Sequence, residues 1–191
     1  MSRPQLSIDW KGRTWQADLS QGHCLAIPLD HVHAQPNAFF APLYEAAPVK
    51  AGDWIGDTRN GSPVNFYNIR INPHGNGTHT ECVGHISLER YAIHEALSDG
   101  FWVAQLISVY PTTKENGDRV IDQLDWDLDV EAMIIRTLPN HPDKLVRHYS
   151  GSNPPYLDQA VAARMAETDI RHLLLDVPSV DREEDGGALL A

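Results

Sequence analysis

Three apolar runs and one helix-forming stretch set the narrowest limits on how this chain can fold. FWVAQLISVY (101–110), EAMIIRT (131–137) and RHLLLDV (171–177) have strand length and the composition of strands buried on both faces. Between the last two, PYLDQAVAARMAE (155–167) has helical spacing, with Tyr156, Ala160, Val161, Ala163 and Met165 as its packed side. Asn153 is placed to cap that helix ahead of Pro154 and Pro155. A helix followed at once by a buried strand is the alternation of an α/β domain. No repeat or linker divides residues 1–191, so one domain is expected.

The first hundred residues read less regularly. RTWQADL (13–19) alternates as an early strand, and VNFYNIRI (64–71) has strand composition. Residues 23–50, rich in Pro and aromatics, read as a long irregular loop with one short helix near 42–47. GDTRNGSP (56–63) is a turn, and Ser87–Asp99 spaces Leu88, Tyr91, Ala92 and Glu95 as a short helix ended by Gly100. The acidic stretch 122–129 reads as a solvated connection.

Charge excludes several partners. With 26 acidic against 15 basic residues the net charge is −11, and no Lys/Arg cluster offers a nucleic-acid or anionic-membrane surface. No secretory h-region opens the chain and no apolar run approaches the roughly 20 residues of a membrane span. Two cysteines, Cys24 and Cys82, make no disulfide framework, so a reducing cytoplasm is the expected compartment.

Chemistry concentrates in NPHGNGTHTECVGH (72–85), which holds His74, His79, Glu81 and His85. Imidazole and carboxylate suit Zn²⁺, Mn²⁺ or Fe²⁺. On an extended chain His79 and Glu81 point to the same side, and His85 shares their parity further along. His74 has the opposite parity and needs the bend that Gly75-Asn76-Gly77 permits. Thr78 either supports a ligand by a hydrogen bond or fills strand space. Cys82 lies at the opposite parity and is assigned to packing; a thiol hydrolase built on it with His79 or His85 is the weakest alternative. Phe39, Phe40, Trp54, Phe66 and Tyr67, upstream, are candidates for an aromatic pocket or for core packing.

GTHTECVGH resembles the signature H-x-G-T-H-x-D-x-P-x-H of the cyclase-like metal-dependent hydrolases, which include bacterial kynurenine formamidase and isatin hydrolase. Gly77, Thr78, His79 and His85 match, Glu81 replaces the Asp, Val83 the Pro, and the first His falls on Gly75, one residue after His74. DLS (18–20), GDT (56–58), EAMIIRT (131–137) and LLLDVPSVD (173–181) resemble further family segments in the same order. The resemblance implies a swivelling β/β/α (cyclase-like) fold, a dimer or tetramer, and a Zn²⁺ or Mn²⁺ ion that activates water to hydrolyse an amide, N-formyl or lactam bond of a small molecule. It implies His74, His79 and Glu81 as metal ligands and His85 as general base. It also implies that a further His and Glu, together with the last strands of the family fold, are not among these residues; His148 and His172 are the substitutes on offer. A relative that binds a small molecule without turnover is the alternative expectation.

Overall fold

The computed structural model describes residues 5–97, 100–126 and 129–185. An N-terminal hairpin pairs β1 (Gln5–Trp10) with β2 (Arg13–Asp18). Its two-residue loop, Lys11-Gly12, has φ of 44° and 76°, the paired positive values that match the twist of a tight hairpin. The tip is tied down: Lys11 Nζ binds Asp129 and, at 3.0 Å, Asp169, and Trp10 Nε1 donates to Asp129 O at 3.2 Å.

The next segment carries little regular structure. β3 (Glu45–Pro48) runs antiparallel to β6 (Tyr67–Arg70), and β4 (Lys50–Ala51) with β5 (Trp54–Ile55) forms a small hairpin between them. Two single-turn helices follow, α1 (Pro73–Asn76) and α2 (Ile93–Ala96). The second half then supplies β7 (Ala104–Val109), β8 (Thr112–Thr113), β9 (Arg119–Ile121), β10 (Ala132–Thr137), β11 (Tyr156–Leu157), α3 (Gln159–Ala166) and β12 (His172–Leu175). β12, β10 and β7 lie side by side and parallel in that order; β11, β9 and β8 form a second small sheet. The architecture is mixed α/β.

The hydrophobic core belongs to the second half. Val109, Ile121, Leu124, Met133, Ile135, Leu157, Val161 and Met165 form one buried cluster, flanked by Ile107, Trp126, Ile170 and Leu175. Val161 and Met165 stand four residues apart, so one face of α3 carries both into the cluster that also holds Met133 and Ile135 of β10. Burying each such side chain is worth about 1.5–3 kcal/mol.

Several sequence expectations change. The 42–47 helix is absent, because Glu45–Pro48 joins the ladder of β6 instead. The Ser87–Asp99 helix shrinks to Ile93–Ala96: Ala92 is extended, and the carbonyl of Tyr91 accepts from the Cys82 thiol at 3.6 Å (residues 98–99 lie outside the described residues). α3 begins at Gln159, not 155, because Tyr156–Leu157 pairs with β9 and Asp158 caps the helix by accepting from Ala160 N at 2.8 Å. Asn153 is left-handed at φ 48°, and its amide goes to Asp118 instead. β10 is largely buried, as its sequence predicts, but β7 alternates because one face of the sheet is uncovered. Leu173 and Leu174 of the edge strand β12 point to opposite faces and both stay exposed, so neither face is covered there. Within 122–129 the connection is not purely solvated: Leu124 enters the core and Asp122 binds Thr112 and Lys114.

Candidate metal centre

The His-rich stretch is not a straight strand. Pro73 occupies the first turn of α1, where its missing N–H is no loss, and both Gly75 N and Asn76 N donate to Asn72 O, at 3.1 and 2.9 Å. Asn76 is fully buried and ties this turn in place, accepting from Asn72 N at 2.8 Å and donating to Pro42 O at 2.9 Å. Ala38 N donates to Gly75 O at 3.0 Å, so α1 lies flat on residues 37–42. At Gly75 a Cβ would sit 2.3 Å from Ala41 Cβ and 2.9 Å from Ala38 O. No side chain fits at 75, and the imidazole therefore comes from His74.

After Gly77 the chain is extended, and Thr78 Oγ1 accepts from Ile27 N at 3.0 Å; the hydroxyl fastens a neighbouring loop and touches no candidate ligand. Val83–His85 makes a 3-10 turn, where His85 N donates to Cys82 O at 2.9 Å. That turn is pressed under Tyr91, since a Cβ on Gly84 would lie 2.1 Å from Tyr91 O. Helix, extended segment and turn thus replace the simple alternation, and they bring all four side chains together.

Glu81 is the hub. Its Oε1 meets His74 Nδ1 in a short contact and His79 Nε2 at 2.9 Å, while Oε2 lies 4.0 Å from His85 Nε2. The His74 ring stacks on His85 with centroids 4.5 Å apart and meets His79 edge-on at 5.1 Å. Donor atoms of His74, Glu81 and His85 lie within 4.8 Å of one another, a spacing that can hold a metal ion; the trio includes His85, expected as the base, and leaves out His79, expected as a ligand. His79 Nδ1 is 2.8 Å from Gly77 O. A carbonyl only accepts, so Nδ1 carries the proton and Nε2 is the atom turned to Glu81. Burial disfavours the charge of Glu81, but hydrogen bonds from His79 and His74 and the charge of His85 outweigh it and hold the carboxyl below its usual value. One carboxylate facing three imidazoles draws protons or a cation between them, and the close donor group of two imidazole nitrogens and a carboxylate, from His74, His85 and Glu81, suits a divalent ion.

The chain matches the model of the cyclase family, described as "Putative cyclase", over residues 6–182. The chain belongs to that family. No curated protein matches it. Membership in the cyclase family accounts for the order of the short segments recognised in the sequence, and the structure gives most of them scaffold work. Asp18 of DLS caps a 3-10 turn through Ser20 N at 2.9 Å. Thr137 of EAMIIRT and Asp176 of LLLDVPSVD bind each other at the carboxyl ends of β10 and β12, with Lys144 Nζ 2.7 Å from Asp176.

Other site expectations divide. His148 and His172 do not join the cluster among the described residues; His148 bridges to Asn37, and the His172 ring packs on Trp102 at 4.1 Å. Cys82 serves packing, its thiol turned to Tyr91. Of the five upstream aromatics, Tyr67 lines an open depression of ≈ 500 Å³ with His31, Tyr44, Arg59 and Asn65, whereas Trp54 and Phe66 pack on each other at 6.3 Å. Beside that depression lies an ion pair that sequence reading did not find. Buried Asp57 accepts from Arg59 Nη2 at 2.6 Å and from Tyr67 Oη at 2.8 Å, and the Arg59 guanidinium holds its carboxyl far below the usual range. The Asp-x-Arg spacing was its only signal. Among the described residues no helix is long and apolar enough to cross a membrane.

Proposed function

We propose that this member of the cyclase family is a metal-dependent hydrolase acting on an amide, N-formyl or lactam C–N bond of a small molecule. The observation that carries the reading is the convergence of His74, His79 and His85 on Glu81. On the family resemblance His74, His79 and Glu81 would hold a divalent ion, Zn²⁺ or Mn²⁺, whereas the donor spacing groups His85 with His74 and Glu81, so the choice between His79 and His85 as third ligand is part of the test. Such an ion, when bound, acidifies water and polarises a carbonyl. Gly77 O keeps His79 in the tautomer that presents Nε2. His85, about half exposed and further from the hub than the other two, takes a proton from the attacking water at Nε2 and returns it to the departing nitrogen.

The test is elemental analysis of protein purified without added metal, paired with a panel of N-formyl, lactam and ester substrates. We expect about one divalent ion per chain and its loss in His79→Ala with the fold intact. Full activity in metal-free protein would overturn the reading. His85→Gln separates base from ligand: retained metal with lost turnover marks a base, lost metal a ligand.

Binding without turnover is the second reading, and the openness of the site favours it. The four side chains are 24–48% exposed, so bulk water is not excluded from the reacting atoms. A metal-loaded protein that binds members of the panel in calorimetry and converts none of them would decide for it.

A further inference from the structure

The depression beside the Asp57–Arg59 pair shares no residue with the candidate metal centre. At ≈ 500 Å³ it has the size of a small-molecule site, about 300–1,000 Å³. The chain carries 26 acidic against 15 basic residues, yet among the described residues no acidic side chain lines this depression. Arg59 gives it a permanent positive charge.

Two hydrogen-bond donors in the lining are fixed in place and left unused. Buried Asp57 holds the guanidinium by one edge: Arg59 Nε donates to Oδ1 at 3.0 Å and Nη2 to Oδ2 at 2.6 Å, while Nη2 also donates to Tyr67 Oη at 3.0 Å. Nη1, at the far corner of the planar group, has no partner among the described residues, and the side chain is 76% exposed. Asn65 repeats the arrangement. Its Oδ1 accepts from Thr58 N at 3.0 Å and from Thr58 Oγ1 at 3.2 Å. Only the oxygen of an amide can meet an N–H, so Nδ2 is turned away from Thr58, and nothing among the described residues accepts from it. Side chains held in this way have already lost their rotamer freedom on folding, which lowers the cost of binding an anion.

The rest of the lining sets the shape of the ligand. Tyr44 and Tyr67 are half-buried, and the His31 and Tyr67 rings stand 5.9 Å apart at 54°. Val32, Ala46 and Ile69 add apolar surface. Aromatic walls of this kind favour a flat ring against them. The number of charges sets the anion. Asp57 already meets one edge of the guanidinium, so a dianion would find too little positive charge, whereas two spare donors match the two oxygens of a carboxylate.

We infer that this depression binds a small aromatic carboxylate, with its carboxyl group on Arg59 Nη1 and Asn65 Nδ2 and its ring against His31, Tyr44 and Tyr67. Asp57 and Thr58 do not touch the ligand; they aim the two groups that do.

Calorimetric titration of the full chain tests this with neither turnover nor metal content as the readout. The probes are 3-phenylpropanoate, its neutral amide, acetate and inorganic phosphate. The aromatic acid should bind with a dissociation constant of about 1 mM or tighter, and the other three roughly tenfold more weakly or worse. Asn65→Asp keeps an oxygen for Thr58 and sets an anionic oxygen where Nδ2 stood, so it should weaken the acid by roughly tenfold or more. Arg164→Gln, which removes a positive charge from α3, should leave binding unchanged. The inference is overturned if the acid does not saturate the protein, or if the amide, acetate or phosphate binds as well as the acid does. Undiminished binding in Asn65→Asp overturns it too, since the acid would then sit elsewhere, the His cluster included, and so does an equal loss in Arg164→Gln. Should Asn65→Asp fail to fold, NMR of the unaltered protein decides. The acid must shift the Arg59 Nε–H and Asn65 Nδ2–H signals, and shifts confined to other residues sink the inference.

Discussion

Gly75 is a position where one methyl group is too many. The van der Waals overlap with Ala41 and Ala38 involves a backbone carbonyl and a rigid Cβ, neither of which can swing aside. Gly75→Ala should therefore destabilise the fold by about 1–3 kcal/mol, read from urea unfolding. It should also weaken metal binding, because α1 must shift to make room and His74 shifts with it. Asp57 gives a pH signature. Its carboxyl is held below the ordinary value near 3.9, so the stability it contributes is complete above about pH 4. That contribution is lost as pH falls through the folded-state value. Unfolding of Asp57→Asn across pH 7 to 2 should run parallel to the parent above pH 4.5 and converge with it below. At this scale the sequence named side chains that the fold does bring together, His74, His79 and His85 around Glu81, because their types and close spacing are local properties. It could not name Lys144 or Arg59, whose partners are set by the fold.

Helix α3 shows how an element's interior and its ends differ in legibility. Val161 and Met165 were readable as a buried face because helical spacing is a local property, whereas Ala160 and Ala163, assigned to the same side, are exposed. The start was not, because Tyr156 and Leu157 are claimed by β9, a partner distant in sequence. Asp158→Ala should cost about 1 kcal/mol through loss of the cap, and Met165→Ala about 2–5 kcal/mol through the cavity it leaves. Both are measurable as shifts in melting temperature. The same logic explains the 72–85 segment. Alternation predicted that His79 and Glu81 converge, and they do, but the convergence of His74 depends on a helical turn fastened by the buried Asn76. Only tertiary contact creates that turn.

At the level of the whole molecule, the packed interior and the candidate metal centre are built from different parts of the chain. The parallel strands β7, β10 and β12, which gave the plainest sequence signals, surround the core; the His-rich turns lie before them in sequence. Hydrogen exchange should reflect this, with amides of Ala132–Thr137 the slowest. Addition of Zn²⁺ or Mn²⁺ at a hundredfold over its dissociation constant should stabilise the protein by up to about 2.7 kcal/mol, reversed by chelator.

All four donors fall between His74 and His85, while every member of the apolar cluster lies beyond residue 100. During synthesis these four side chains leave the ribosome before the residues of that cluster do. Closing so short a loop around an ion would cost little entropy, so on the proposed reading the site does not depend on the finished sheet. On the proposed reading, an ion would meet these side chains once residues 37–42 had seated the turn that carries His74, with the sheet still to be completed.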